Sequence, residues 1–179
     1  KTVEDAPFPG SIEGFATSAG KWNIHEYPVI KHLNVDSKVI RRRGSGTDCV
    51  PQVILNYHPI SRGPWRLKPF IDDIGQVFNG RFLSVRPRGN VPLTFLWALL
   101  ISPVANCFAY THLLKRDVLK RTMDRMPIPN VTDADVRRIA KLTDRYLALA
   151  IKGMRGMFDA EGYAESELRE ALLKLDAEV

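Results

Sequence analysis

An apolar segment interrupted by a Ser-Pro pair, within residues 82–129, is the feature that most constrains the fold. Pro92 suits the first turn of a helix, and Leu93–Ile101 is apolar on nearly all sides, which predicts a buried helix. Ser102-Pro103 then supplies an N-cap and a first-turn proline, so a second helix is expected to run toward Thr111. The chain is therefore expected to contain a buried helix pair.

Short runs of strand-forming residues precede these helices. Val50–Tyr57 predicts a strand bounded by Pro51 and by His58-Pro59. Three further short strands are predicted at Trp65–Ile71, Gly75–Phe78 and Arg81–Val85. Residues 1–20, with two prolines and three glycines, predict an irregular lead-in. The predicted fold class is α+β, with a small mixed β-sheet beside the buried helix pair.

The C-terminal third predicts a long helix. Thr132 can cap a first turn that contains Asp133 and Asp135. Apolar and small residues then recur at the spacing of a coiled-coil seam, at Val136, Ile139, Thr143, Tyr146 and Ala150. Lys152-Gly153 is predicted to end the helix, and a second apolar stripe follows at Leu168, Leu172, Leu175 and Val179.

These patterns divide the chain into two predicted parts, residues 1–131 and a C-terminal helical, coiled-coil-like arm at 132–179. The seam on this arm has two open interpretations. It packs on its own domain, or it docks a catalytic subunit or a second recognition unit. Between the helix pair and the arm, Lys115–Met123 is basic and helical or extended, and Met126–Pro129 is extended because each proline disfavours a helical predecessor.

Positive charge is concentrated in the middle of the sequence. The net charge is +6, but the stretch from Arg41 to Arg121 holds 13 Lys and Arg against four Asp and Glu, which is +9 locally and leaves −3 elsewhere. A concentrated positive field favours a polyanionic partner, most often nucleic acid. A basic surface without such a partner is the alternative that charge alone leaves open.

Double-stranded DNA fits the distribution of these residues. Neutralising phosphates requires basic side chains from several loops, and Arg reads guanine edges through paired hydrogen bonds. Asn56, Tyr57 and the nearby Gln52 are of types that read adenine or contact the sugar-phosphate backbone. Arg81 and Lys120 have the alternative role of pairing with acids. The predicted DNA-binding residues are Arg41, Arg42, Arg43, Asn56, Tyr57, Arg62, Arg66, Lys68, Arg86, Arg88, Lys115, Arg116, Lys120 and Arg121.

The sequence contains no recognisable catalytic motif. Asn90-Val91-Pro92-Leu93 lacks the second proline and the aromatic residue that grip a flipped adenine, and Gly44-Ser45-Gly46 does not continue as a dinucleotide-binding fingerprint. Asp72-Asp73 with Lys68 is the one nuclease-like set, but adjacent strand residues point to opposite faces and do not share one metal ion. The chain is expected to have no catalytic residue, metal or cofactor.

Cysteine content and hydropathy bear on the cellular compartment. Cys49 and Cys107 show no metal-type spacing, which favours a reduced, cytoplasmic protein. The apolar run Val91–Tyr110 is interrupted by polar residues and by Pro103, so a core element is predicted and not a membrane span. The chain begins without Met and stops within a helical pattern, so we expect it to be a fragment of a longer polypeptide.

Three blocks of the sequence resemble the target-recognition domains of bacterial DNA adenine methyltransferases and of type I restriction–modification specificity subunits. The first is Pro51–Asp72, PQVILNYHPISRGPWRLKPFID, which is similar to a central strand and its loop. The second, within Phe82–Pro129, is the order Leu99-Leu100-Ile101-Ser102-Pro103-Val104-Ala105-Asn106, Lys115-Arg116-Asp117 and Met126-Pro127-Ile128-Pro129. The third is Leu172–Val179, which is similar to a helix of methylase-linked versions.

The resemblance covers roughly residues 50–179, and residues 1–20 have no counterpart in it. It implies a domain that reads part of a DNA site, while a catalytic domain or subunit, in cis or in trans, flips and methylates adenine. The chain itself would do no chemistry. The alternative functions are an assembly module that docks a methyltransferase or restriction subunit through its C-terminal helices, and a nuclease fragment.

Overall fold

A computed structural model of the protein describes residues 3–16, 30–34, 49–58, 65–78, 81–113 and 117–158, with side chains up to Ile151. Within these ranges the fold is α+β, as predicted. Its strands are β1 (Val3–Glu4), β2 (Ser11–Phe15), β3 (Lys31–Asn34), β4 (Gln52–Asn56), β5 (Phe70–Asp72), β6 (Val77–Phe78) and β7 (Phe82–Val85). Its helices are α1 (Leu93–Ile101), α2 (Pro103–Leu113), α3 (Lys120–Met123) and α4 (Asp133–Phe158).

The strands form two sheets where the sequence predicted one. The first has the order β1-β3-β2-β6 and is mixed, because β6 runs parallel to β2 while the other neighbours are antiparallel. The second has the order β5-β4-β7 and is antiparallel throughout. The central strand β4 confirms the strand predicted at Val50–Tyr57, and β7 confirms the one predicted at Arg81–Val85.

Both faces of β4 are covered, which is why all five of its residues are buried. Val53 and Leu55 point to one side and join a core cluster with residues of α1 and α2. Ile54 points to the other side, in a cluster that includes Phe15 of β2 and Phe78 of β6. Successive strand residues face opposite sides, so β4 lies between the helices and the first sheet.

The predicted helix pair is present and joined by Ser102. Its hydroxyl donates to the Leu99 carbonyl (2.7 Å) and accepts from the Ala105 N–H (3.2 Å), so it closes α1 and caps α2. The two helices are bent by 57° at this break. The pair is less buried than predicted, because one side of α2 is open at Val104 and Tyr110.

The N-terminal lead-in is ordered by pairing, and the irregular structure predicted for residues 1–20 is wrong for its described part. β2 pairs with β3 on one side and with β6 on the other. Gly14 allows the second contact, since a Cβ there would lie 2.2 Å from the Val77 carbonyl oxygen. The partners of β2 lie far along the chain, so local glycine and proline content gave the wrong prediction.

Only part of the segment predicted as strand at Trp65–Ile71 is in a sheet. Residues 65–69 belong to no strand. The backbone N–H groups of Arg66 and Leu67 donate to the side chain of Asn106, and that of Lys68 donates to Asn56. The side chains of Asn106 and Asn56 therefore accept the hydrogen bonds that the backbone of a neighbouring strand would otherwise accept.

Helix α4 begins where the sequence predicted and ends later. Thr132 accepts from the Asp135 N–H (3.2 Å) and the Asp135 carboxylate accepts from the Thr132 N–H (3.1 Å), a reciprocal capping pair. The end predicted at Lys152-Gly153 is wrong, because the helix continues to Phe158. A glycine inside a helix costs about 0.5–1 kcal/mol relative to alanine, which neighbouring helical turns can outweigh.

The seam of α4 packs against α1. The ring of Tyr146 lies against that of Trp97, with centroids 5.8 Å apart and planes inclined by 36°. Thr143 and Ala150 are buried. Of the two interpretations of the seam, these contacts favour packing on the chain's own core.

The helices in the described part of the chain bear on whether it could cross a membrane. No single helix there combines the length and hydropathy needed to cross a bilayer. The bent pair α1 and α2 reaches those criteria only when the two helices are taken together.

Candidate nucleic-acid interface

The C-terminal end of β4 is held to two distant segments of the chain. The Tyr57 carbonyl accepts from the Val118 N–H (2.6 Å), and the Tyr57 N–H donates to the Arg81 carbonyl (2.9 Å). Beside them, Nδ1 of His58 lies 2.5 Å from Oδ1 of Asp117. We call these five residues the β4 junction. It joins β4, the start of β7 and the chain that leads into α3.

The imidazole of His58 is the most accessible polar ring of the β4 junction. Its side chain is 51% exposed, and the ring meets that of Tyr57 edge to face at 5.2 Å. Pairing of Nδ1 with Asp117 orients the ring. Nε2, the other ring nitrogen, accepts a hydrogen bond in the neutral ring and donates one in the imidazolium. The ring can therefore offer a hydrogen-bond donor in its charged form and an acceptor in its neutral form.

Asn56 does not belong to a DNA-facing surface, which corrects the sequence prediction. It is fully buried, and its amide nitrogen donates to the carbonyls of His58 (2.6 Å) and Arg66 (2.9 Å). Its oxygen accepts from the Lys68 N–H (2.6 Å). The amide thereby holds the chain after β4 against the chain before β5, so its role is structural.

Arg66 also lies inside, although the sequence placed it among the DNA contacts. It is 4% exposed, with its guanidinium carbon 5.1 Å from the centre of the Tyr110 ring. This cation–π arrangement ties the segment before β5 to α2. Lys68 is half-buried, and this burial lowers the pKa of its ammonium group.

The remaining described basic candidates do not all lie at the β4 junction. In the pairing of β4 with β7, Asn56 is opposite Phe82 and Val53 is opposite Val85. Arg86 and Arg88, which follow β7, therefore leave the sheet at the start of β4, about 13 Å from Asn56 at the other end of that strand at the usual strand rise. Arg86 is half-buried and Arg88 is exposed.

Two more candidates are on α3. Lys120 and Arg121 are both exposed. The ammonium of Lys120 lies 2.7 Å from a carboxylate oxygen of Asp124, so the acid-pairing role considered for Lys120 is observed. Because both partners are exposed, this ion pair is weak and leaves Lys120 able to exchange partners.

The other predicted contacts, Arg41, Arg42, Arg43, Arg62, Lys115 and Arg116, lie outside the described residues. In the sequence, however, two of their segments adjoin the β4 junction. Arg116 directly precedes Asp117, and Arg62 follows His58 by four residues.

Gln52 and Asp72 form a buried polar network between β4 and β5. The Gln52 amide donates to the Asp72 carboxylate (2.9 Å), and Ser84 donates to the Gln52 oxygen (2.5 Å). The carboxylate also accepts from the N–H groups of Ile74, Gly75 and Gln76. Gln52 therefore lies within the protein, and the Asp72 carboxylate is buried at the end of β5. Across the described ranges, no cluster of three His, Cys, Asp or Glu is arranged to hold a metal ion.

Sequence reasoning missed the pairing of His58 with Asp117. From the sequence, His58 is interpreted only as a surface or hydrogen-bonded histidine, and Asp117 only as one of the acids in the basic stretch. The two are separated by 59 positions, and no spacing pattern signals such a pair. The only sequence signal was their position, His58 after a strand and Asp117 beside Lys115-Arg116.

A second concave surface, which we call the α4 cleft, lies between α1, the start of α2, α4 and Trp65. Its volume is about 710 Å³. Its lining is mostly apolar, and Trp65 is 53% exposed at its edge. The lining residues are Trp65, Trp97, Ala98, Ile101, Ser102, Pro103, Ile139, Leu142, Thr143 and Tyr146.

Comparison with known proteins identified no relative. No family model matches the chain, no curated protein matches it, and no solved structure matches it.

Proposed function

We propose that this chain is a DNA sequence-recognition domain serving a DNA methyltransferase or a restriction–modification system. The catalytic core would be a separate domain or subunit. Duplex DNA would bind across the β4 junction, with basic side chains contacting phosphates and a smaller set contacting bases. As a reader of cellular DNA, the protein would work in the cytoplasm.

The β4 junction is the observation that carries this proposal. It brings His58 within 2.5 Å of Asp117. In the sequence, these residues adjoin two different basic segments, one with Arg62 and one with Lys115-Arg116. A phosphate backbone is bound by such charges when they come from separate segments and converge on one surface.

Rigid support of the junction adds to the argument. The buried amide of Asn56 secures the backbone at His58, and the Tyr57 carbonyl secures Val118. Loops that bind a ligand gain specificity when a fixed scaffold positions them, because less conformational entropy is lost on binding. Tyr57 and His58 would then be held in a fixed position in advance of binding.

Selection of the purified chain against a randomised duplex pool at near-physiological salt tests the proposal. Enrichment of a short motif is the expected result. If the chain retains DNA at low salt, loses it at high salt and enriches no motif, it binds only the phosphate backbone and does not read the sequence. Absence of retention, for the chain alone and for the chain joined to its catalytic partner, would contradict the proposal.

A docking function is the second candidate, and the α4 cleft is the observation that favours it. An assembly module needs an accessible apolar surface for its partner. The cleft is lined by α1 and α4, and it is distinct in composition from the polar β4 junction. The two functions are compatible in one domain, since they use different residues.

A further inference from the structure

We propose that the α4 cleft binds an acidic, amphipathic segment of a partner protein, which inserts a large apolar side chain between Trp65 and α4. This inference does not depend on DNA recognition. It rests on the docking function and deepens it, because it assigns a ligand class to a cleft whose lining includes Ile139, Thr143 and Tyr146 of the α4 seam.

The chemistry of the lining selects an apolar anchor. Ser102, Thr143 and Tyr146 bring hydroxyls to the lining of the cleft. Two of these already donate to carbonyls, Ser102 to Leu99 and Thr143 to Ile139 (2.9 Å). A nucleobase buried there would need partners for its polar edge, and buried polar groups without partners are costly. An aromatic or long aliphatic side chain has no such requirement.

Trp65 has the properties of an interface residue. It stands at the edge of the cleft with about half of its surface exposed. Tryptophan is enriched among the residues that dominate binding energies, since it buries a large apolar area with few rotatable bonds. Across the cleft, Ile139, Leu142 and Tyr146 lie one helical turn apart, a row that matches the side of a partner helix.

Charge complementarity indicates an acidic partner. From Asp133 to Ile151, α4 carries four Lys and Arg against three Asp, two of them in its first turn, where the charge of Arg138 helps to lower the pKa of Asp135. Arg138 precedes Leu142 by four residues and Arg145 follows it by three, so both stand beside it on the helix surface, and both are exposed. Asp or Glu flanking an apolar anchor would face these two guanidinium groups.

The test begins with a display library of random linear peptides selected against the intact purified chain. We expect enriched peptides to combine a large apolar residue with Asp or Glu. The strongest would be synthesised and its affinity measured. Trp65→Ala, and separately the double variant Arg138→Glu with Arg145→Glu, should each weaken binding about tenfold or more.

Arg137→Glu is the matched control for the charge reversal. It makes the same change on the same helix, but it lies about 200° around the helix from Ile139, away from the cleft. Its affinity for the peptide should stay within about twofold of the original. Unfolding of each variant would be followed by circular dichroism, and all the altered residues are exposed.

The proposal would be overturned if the library yields no enriched peptide, or if the enriched peptides lack Asp and Glu. It would also be overturned if the peptide binds all the cleft variants as tightly as the original chain. The same holds if the chain binds a single-stranded oligonucleotide and Trp65→Ala abolishes that binding. A photo-crosslinking amino acid at position 65 gives an independent readout. A crosslink to residues 159–179 of this chain or of a second copy would assign the cleft to the chain itself and would also overturn the partner assignment.

Discussion

The side-chain oxygen of Asn106 accepts a hydrogen bond from the backbone N–H of Arg66, 2.8 Å away, although 40 residues separate the two. The same oxygen accepts from Leu67 (2.9 Å). The amide nitrogen donates to the carbonyls of Ile101 (3.2 Å) and Ser102 (3.1 Å) at the helix break. One buried side chain therefore satisfies backbone groups of two segments, and this explains why an asparagine occupies a buried position of α2.

Replacing this side chain should destabilise the fold. Asn106→Ala leaves two buried N–H groups without an acceptor, which costs about 3 kcal/mol in the free energy of unfolding. Urea titration followed by circular dichroism measures the change. Cys107→Ala, one residue further along α2 and exposed, should alter the free energy by less than about 0.5 kcal/mol. A loss no larger for Asn106→Ala than for Cys107→Ala would refute the assigned role.

Packing of α4 against α1 should contribute to the stability of the same unit. Tyr146→Ala removes the half-buried ring that contacts Trp97, and we expect a loss of about 2 kcal/mol. The exposed neighbour Arg145, changed to Ala, provides the comparison. Equal stability of both variants in thermal unfolding would mean that α4 does not stabilise the core.

The start of α4 should respond to acid. Hydrogen bonds from Thr132 hold the pKa of Asp135 below its ordinary value of 3.8. A carboxylate with a lowered folded-state pKa adds stability above its unfolded-state pKa and loses that contribution as the pH falls through the folded value. Asp135→Asn should therefore be less stable than the original at neutral pH, and the difference should shrink below about pH 4.

This dependence is measured as the free energy of unfolding against pH. Asp144→Asn, on the same helix but away from its N-terminus, serves as the reference. The assignment to Asp135 fails if both variants show the same pH dependence.

The β4 junction should take part in DNA binding through His58. His58→Ala removes the oriented ring, and we expect duplex affinity to fall about threefold to tenfold at low salt. Asp117→Asn should give a smaller loss, because the ring remains. His112→Ala is the comparison, since that exposed ring stacks on Phe108 of α2 and is not at the junction. Equal binding by the variants at positions 58 and 112 would remove His58 from the interface.

Arg42 and Arg116 should contact phosphates. Changing both to Ala is expected to weaken duplex binding and to lower the salt dependence by about one slope unit per lost contact. Titrations at several salt concentrations measure the slope, with Arg137→Ala as a basic residue on the outer side of α4. An unchanged slope would exclude both arginines as contacts.

Elements specified by local chemistry were predicted well. The boundaries of α1 were predicted correctly because Pro92 and Ser102 mark its ends, and Thr132 marks the start of α4. Strand β4 followed from its branched apolar run. The lead-in and the end of α4 were predicted wrongly, since strand pairing and continued helical bonding outweighed glycine and proline content.

The candidate site was likewise predicted only in part. Composition identified a basic stretch, but it could not separate surface residues from buried ones. Asn56 and Arg66 are residue types that often bind DNA, so the sequence placed them at the interface. In the structure both are buried, and they hold the chain before β5 in place. The pairing of His58 with Asp117 depends on how β4 and the chain before α3 are brought together.

The sequence by itself determined the α+β class, the helix pair and the concentration of positive charge, because propensity, capping and net charge are properties of neighbouring residues. Tertiary structure alone decided the division into two sheets, the β4 junction and the α4 cleft. Each of these arises where segments distant in sequence meet. The free energy that selects such contacts comes from burial and hydrogen bonding across the fold, which no local pattern records.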